Sequence, residues 1–134
     1  MGITNASRAV ISARLYGTGS SAFTSIGMGT GSTAFAATQT ALVTGVKADG
    51  TGDGGVHVLA TASVTTSSLT TTQTNDTAQW TGTSAIAITA TIALTESGVF
   101  NADTNGTMLC RQTFTAVNVV SGDTVNFIWQ VQNN

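Results

Sequence analysis

The sequence predicts an all-β protein: an antiparallel β-sandwich or barrel, jelly-roll-like, with a short N-terminal helix or arm. Apolar side chains alternate with small or polar ones over 84–94 and over 123–132, the period of a strand with one buried face. Thr and Ser fill most polar positions, and branched Thr favours strands, while 15 glycines punctuate the chain. We expect the helix or arm over 1–20 and a single β domain over 21–134, with roughly six to eight strands.

At the N-terminus, Thr4 or Asn5 is placed to cap a helix that runs to about Tyr16. Its apolar stripe at helical spacing consists of Ala6, Ala9, Val10 and Ala13. Because Ala buries little area, an extended arm is the alternative. Arg8 and Arg14 lie off the stripe, where they are either solvated or in contact with an acidic neighbouring subunit.

Residues 22–46 contain a short strand followed by a glycine-rich run. The strand is expected at Ala22–Met28, with Phe23 and Ile26 as its apolar residues. The run Gly27–Ser32 lacks the Lys that completes a phosphate-binding loop, so we interpret it as a structural turn. Apolar residues return at Leu42, Val43 and Val46.

The run Asp49–Gly55 has the start of a calcium-binding loop, with oxygen side chains at its first, third and fifth positions and Gly at the sixth. The twelfth position, which should be Glu, is Ala60, and no helical pattern flanks the loop. We therefore predict the tip of a hairpin.

Val56–Thr66 predicts another strand, with His57 on the face opposite its valines. His57 is the only His in the chain, and a metal site needs several converging ligands. A general base would also need a nucleophile and an orienting carboxylate, which the spacing does not supply. We interpret His57 as a residue of the sheet surface or of an interface.

The run Ser67–Thr77 is almost entirely polar, with Leu69 as its one apolar residue. Such a run cannot bury enough area to hold itself in place, so it predicts a long loop or an arm that orders on a neighbour. Trp80 follows and is either an interface anchor or a residue at the edge of the core. The candidate interface residues are therefore Leu69 and Trp80, together with Arg8 and Arg14.

The last third of the chain predicts two long strands around a tight hairpin. Ser84–Leu94 and Asp123–Gln132 direct their large side chains into one core, and Ile128 is the one break in the second pattern. Between them, the pair Asn105-Gly106 supplies the positive φ of a tight reversal.

If that hairpin closes symmetrically about 102–105, Glu96 lies opposite Arg111. Glu96 is the only Glu in the chain, and Arg111 is one of four basic residues. The expected ion pair contributes under about 1 kcal/mol if it is exposed. If it is buried, its importance lies in the charge that is stranded when either partner is removed.

Composition excludes several classes of function. Only 7% of the residues are charged, against about 25% in ordinary soluble domains. The net charge is −2 and the four basic residues are scattered, which argues against a nucleic-acid partner. No apolar run approaches the ~20 residues that span a membrane. A free monomer with so little charge would be poorly protected against association. We therefore infer a homo-oligomer with partner subunits on much of its surface.

The pattern also predicts no enzyme. No catalytic residues, cofactor-binding residues or metal ligands emerge at suitable spacing, and we expect no cofactor. Cys110 is the single cysteine, and its neighbours Met108 and Leu109 indicate an inert core thiol.

Several segments resemble a group of small virion proteins of tailed bacteriophages, in the same order along nearly the whole chain. The segments are Ile3–Ala6, Ile26–Leu42, Leu94–Ala102, Gly106–Arg111, Val117–Val125 and Trp129. The chain departs from that group at Phe35, where Pro is common, and at Cys110, where Ala is common. The acidic residue often found after Leu42 is also missing.

The resemblance implies a structural protein of the virion rather than an enzyme. Our first hypothesis is a capsid decoration or cement protein on the capsid surface, whose partners are the major capsid protein and copies of itself as a dimer or trimer. In this hypothesis the N-terminal residues and the run 67–77 reach across neighbours.

Two alternatives remain open at this point. One is a tail, neck or fibre-attachment component of the virion. The other is a carbohydrate-binding module for adsorption to the host, with Trp80 as its platform.

Overall fold

A computed structural model describes residues 2–15, 17, 22–54, 64–69, 77–82 and 85–132, with the backbone alone at 64–69 and at Arg14. The elements are β1 Gly2–Ile3, α1 Asn5–Leu15, β2 Ser25–Gly29, β3 Gly45–Val46, β4 Val64–Leu69, β5 Thr77–Gly82, β6 Ile86–Ala87, β7 Ile92–Phe100, β8 Met108–Val119, β9 Thr124–Val125 and β10 Ile128–Gln132. The protein is all-β apart from this one short helix within the described ranges.

All strand pairs are antiparallel. The main sheet has the order β1-β8-β7-β2-β3, a second sheet has the order β10-β5-β4, and β6 pairs with β9. The β7–β8 hairpin lies at the centre of the main sheet, and Asn105 in its turn has a φ of 49°. The positive φ predicted from the Asn-Gly pair is confirmed at Asn105.

One core cluster joins residues from all three sheets. It includes Ile26, Leu94 and Val99 of the main sheet, Trp80 and Trp129 of the second, and Ile86 of the short pair. Trp80 and Trp129 are direct cross-strand partners between β5 and β10. Such aromatic pairs contribute to sheet stability beyond the area they bury.

The prediction of one long strand over 84–94 is wrong, because β6 ends at Ala87 and β7 begins at Ile92. In between, the N–H of Ile88 donates to Asp123 O at 2.9 Å and that of Thr89 to Ala48 O at 3.0 Å, so these two residues bond to different segments. The alternation in burial is nevertheless confirmed. Its buried members are Ile86, Ile88, Ile92 and Leu94.

The predicted N-terminal helix is present, and Thr4 caps it. Ser7 N donates to Thr4 Oγ1 at 3.2 Å, which satisfies one of the free N–H groups of the first turn. The Thr4 hydroxyl itself donates to Met108 O, and the Ser7 hydroxyl lies 3.1 Å from Leu109 O. The helix therefore packs on β8 through two buried hydroxyls as well as through Val10, whereas Ala9 of the expected stripe is exposed.

The glycine-rich run begins inside a strand. Gly27 and Gly29 belong to β2, where they pair with Gly98 and Glu96 of β7. The interpretation of 27–32 as a turn is therefore wrong for its first three residues. All five residues of β2 are buried, and a buried strand can contain glycine where another group approaches it closely.

The predicted hairpin tip near Asp49 is confirmed. Lys47 N donates to Thr51 O at 2.9 Å, and Asp53 N donates to Gly45 O at 2.9 Å across the two sides. Hydrogen bonds from the Thr51 hydroxyl and N–H lower the pKa of Asp49 from its usual value.

The prediction of an exposed excursion over 67–77 is wrong at both of its ends. Ser67 to Leu69 lie in β4, paired with Gln79 to Thr77 of β5. Backbone hydrogen bonds to a neighbouring strand hold this polar segment, and β-branched Thr and small Ser suit a pleated surface. Residues 70–76, and the part of the strand predicted at 56–66 that precedes Val64, lie outside the described residues.

Candidate functional site

Glu96 and Arg111 form a fully buried ion pair on the central hairpin. Arg111 Nε donates to Glu96 Oε2, and neither side chain is accessible to solvent. The pair predicted from the sequence is therefore present, but the symmetric register is wrong. Arg111 lies opposite Gly98, and Glu96 lies opposite Thr113, because the register shifts between Val99 and Phe100, near the turn. The ion pair is diagonal.

The carboxylate of Glu96 also ties a long loop to the sheet. Its Oε1 accepts from Gly31 N at 3.1 Å and Thr44 N at 2.7 Å, and its Oε2 accepts from Val43 N at 3.1 Å. Hydrogen bonds to a charged acceptor are stronger than neutral ones. Both ends of the segment 31–44 are thereby fixed to one side chain.

Arg111 holds the middle of the same segment. Its Nη1 donates to Thr33 O at 2.8 Å and to Gln39 Oε1 at 3.3 Å. Its Nη2 is buried without a hydrogen-bond partner among the described residues. Both side chains are inaccessible to solvent, and their hydrogen bonds position the segment 31–44 on the sheet.

Two glycines provide the space for the Glu96 carboxylate. A Cβ at Gly31 would lie 2.5 Å from Glu96 Oε1 and 2.6 Å from Val43 Cβ. A Cβ at Gly29 would lie 2.6 Å from Glu96 Oε1 and 2.5 Å from Thr44 O. These distances are shorter than any van der Waals contact, so the glycines keep the backbone close to the buried charge.

Trp80 lies at the edge of the core, and its ring is largely buried. Its exposed fraction is 7%, and its Nε1 donates to Phe23 O at 2.7 Å. This agrees with a residue at the edge of the core, the alternative that the sequence left open. A carbohydrate platform requires an exposed ring face, so Trp80 does not provide one.

The other candidate interface residues lie on different elements of the structure. Arg8 is exposed on α1, and the backbone of Arg14 lies near the end of the same helix. Leu69 is paired through its backbone with Thr77. His57 lies outside the described residues.

The surface exposes several large apolar side chains, of which the alternation pattern had indicated only Ile128. They are Leu15 at 83%, Ile128 at 63%, Val117 at 52%, Val120 at 49%, Val43 at 46% and Ile11 at 36%. Single exposed apolar residues are ordinary, but Ile11, Leu15 and Ile128 also line grooves. The sequence could have indicated that Ile11 and Leu15 are exposed. They are four residues apart, so they share one face of the helix, and that face is not the predicted apolar stripe.

Among the described residues, two of the grooves are lined mainly by apolar side chains. The first, of about 310 Å³, lies between α1 and the strands, and all of its lining residues are apolar. The second, of about 360 Å³, lies between β8 and β10, with Phe114, Phe127 and Ile128 on its walls and Gln112 and Gln130 beside them.

Cys110 is fully buried on β8, and burial raises the pKa of its thiol to about 12. Burial disfavours the thiolate and leaves the neutral thiol unaffected. The fold therefore keeps its full stability below the usual pKa of 9.0 and loses stability as the pH rises from there toward about 12. We expect the folded protein at pH 8 to leave Cys110 unmodified by a thiol reagent such as dithionitrobenzoate, and one thiol to react in urea. Rapid modification without denaturant would contradict this burial.

The described part of the chain contains no group of three or more His, Cys, Asp or Glu side chains that could hold a metal ion. Within the same ranges, no helix combines the length and apolar character that a bilayer crossing requires. Comparison with protein-family models, with curated proteins and with solved structures gave no match.

Proposed function

We propose that this chain is a structural protein of a bacteriophage virion, and that it decorates or cements the capsid where major capsid subunits meet. The observation that carries the proposal is a surface with very little charge that exposes large apolar side chains. Charged residues are 7% of the chain, whereas Leu15, Ile128 and Val117 are more than half exposed. Such a surface gains stability when neighbours cover it.

Rigid presentation of this surface supports a mechanical role. Val43, one of the exposed apolar residues, lies in the segment 31–44, and its N–H donates to the Glu96 carboxylate. A segment that is ordered before binding loses less conformational entropy on binding. The protein would clamp its neighbours by non-covalent contacts alone.

The finer architecture belongs to the same proposal. The core cluster contains Met28 of the main sheet, Val131 of the second and Ile86 of the third. A cluster shared by the inner faces of separate sheets supports a sandwich of the jelly-roll type.

Self-association is also part of the proposal. β1 pairs with β8 only at Arg111 and Cys110, so the outer edge of β8 beyond Arg111 has no strand partner among the described residues. Residues 112–122 contain no charged side chain that would oppose the approach of another copy. This edge supports a dimer or trimer on the shell.

The N-terminal residues cannot be treated as a detachable arm. If the N-terminal residues were such an arm, deletion of 3–14 would weaken attachment to the particle and leave the β domain folded. β1 pairs with β8, and Thr4 and Ser7 bond to Met108 and Leu109, so this deletion would also remove contacts of the main sheet. Single substitutions are therefore the sharper tool.

The proposal predicts the copy number and the effect of absence. In purified particles, quantitative mass spectrometry should give hundreds of copies per particle, in proportion to the major capsid protein. Particles that lack the protein should release their genome at a lower temperature, and addition of the purified protein should restore the original temperature. Six or twelve copies, with unchanged heat stability of the shell, would indicate the tail or neck instead. Absence from purified particles would overturn the virion role.

A further inference from the structure

The exposed side of helix α1 combines apolar and cationic residues on one stripe. Arg8, Ile11, Ser12 and Leu15 follow the spacing i, i+3, i+4 and i+7, and all four are exposed. Leu15, at 83%, is the most exposed large apolar residue of the described chain. A helix that only covers the core would direct such residues inward.

The stripe borders the first groove. Ile11 and Leu15 form one wall, and the opposite wall is built from Phe23, Trp80, Leu109 and Val131. The groove, of about 310 Å³, is large enough for bulky apolar side chains. Because Trp80 already donates its Nε1 proton to Phe23 O, the groove offers apolar contact rather than a free hydrogen-bond donor from that ring.

Charge identifies the chemistry of the occupant. Residues 5–15 contain Arg8 and Arg14 and no acidic residue, so the helix carries two positive charges in a chain whose net charge is −2. A second copy of α1 would place Arg near Arg, which is unfavourable. An acidic segment would meet opposite charge, which favours encounter and fixes orientation.

We propose that α1 and the first groove form a docking site for an acidic segment of a neighbouring protein, which inserts a bulky apolar side chain between Ile11, Leu15 and Trp80. A walled groove accepts a defined side chain, which favours a protein segment over a lipid surface. This inference rests on the proposed function in one respect, because it takes the neighbour to be a subunit of the shell. The acidic carboxylates would lie beside Arg8.

The test compares matched variants on particles that have been depleted of the protein. Leu15→Asp and Arg8→Glu should each reduce the amount of protein that cosediments with particles by roughly tenfold at equal concentration. Ala102→Asp and Lys47→Glu introduce the same charge changes at exposed positions away from the groove, and they should bind like the wild type. Circular dichroism and thermal unfolding should show that all four variants are folded.

The outcomes separate this inference from the virion role. If wild-type protein binds particles and Leu15→Asp binds equally well, the docking site is wrong while the proposed function stands. If wild-type protein does not bind, the virion role fails. Where the protein does bind particles, a photo-cross-linking amino acid at position 15 should identify its neighbour. A cross-link to an acidic segment of a shell subunit supports the inference, whereas one to lipid, to another copy of this chain or to a segment without Asp or Glu overturns it.

Discussion

Replacement of Arg111 by Met is expected to lower the free energy of unfolding by roughly 3–5 kcal/mol, because it leaves the carboxylate of Glu96 buried without its cation. Both side chains are completely inaccessible to solvent, so water cannot replace the lost partner without a rearrangement of the sheet. The same change removes the hydrogen bonds to Thr33 and Gln39 that hold the segment 31–44. Urea denaturation followed by circular dichroism or Trp fluorescence measures the change.

Arg8→Met is the matched control, because Arg8 is exposed. It should change the free energy of unfolding by less than about 0.5 kcal/mol. In a double-mutant cycle, Glu96→Gln combined with Arg111→Met should cost clearly less than the sum of the single changes, because the stranded charge is gone. A single Arg111→Met variant within about 1 kcal/mol of the wild type would show that the pair does not stabilise the fold.

Substitution of Gly31 by Ala is the second change with a large expected effect. The added Cβ would lie 2.5 Å from Glu96 Oε1, so either the carboxylate or the backbone of the loop must move. Overpacking of this kind costs about 1–3 kcal/mol, and displacement of a buried carboxylate from its hydrogen bonds adds to that cost. We expect a loss of at least about 2 kcal/mol in the free energy of unfolding.

Gly52→Ala is the control for backbone entropy. A Cβ at Gly52 meets nothing within 4 Å, and the residue is exposed. This variant should be as stable as the wild type, or more stable by about 0.4–1 kcal/mol, because Ala restricts the unfolded chain. Equal stabilities for Gly31→Ala and Gly52→Ala would mean that Gly31 is not required beside Glu96.

Period-two alternation was sufficient to find the core face of the last third of the chain. Ile86, Ile88 and Leu94 are buried as expected, because the faces of an extended chain alternate whether or not its ladder is continuous. The continuity of strands was not predictable from this signal. The break at 88–91 depends on hydrogen bonds to Asp123 and Ala48, which are distant in sequence.

The Glu96–Arg111 pair was predicted from closure of the hairpin about 102–105, which brings these two residues of the flanking strands close together. Its diagonal geometry was not, since irregularities in the hairpin move Arg111 opposite Gly98. The role of Gly29 and Gly31 was also missed. A glycine-rich run reads as a turn when the group that approaches it, here Glu96, lies more than sixty residues further along the chain.

The connection order of the main sheet has a consequence for synthesis on the ribosome. β1 and α1 emerge before β8, but their hydrogen-bonding partners on β8 are Met108 to Arg111, so these two elements must wait until that strand has been made. β2 likewise waits for β7, and non-local pairing of this kind slows folding. We therefore expect the nascent chain to remain without its central sheet until the β7–β8 hairpin has left the exit tunnel, a period in which chaperones can bind its uncovered strands.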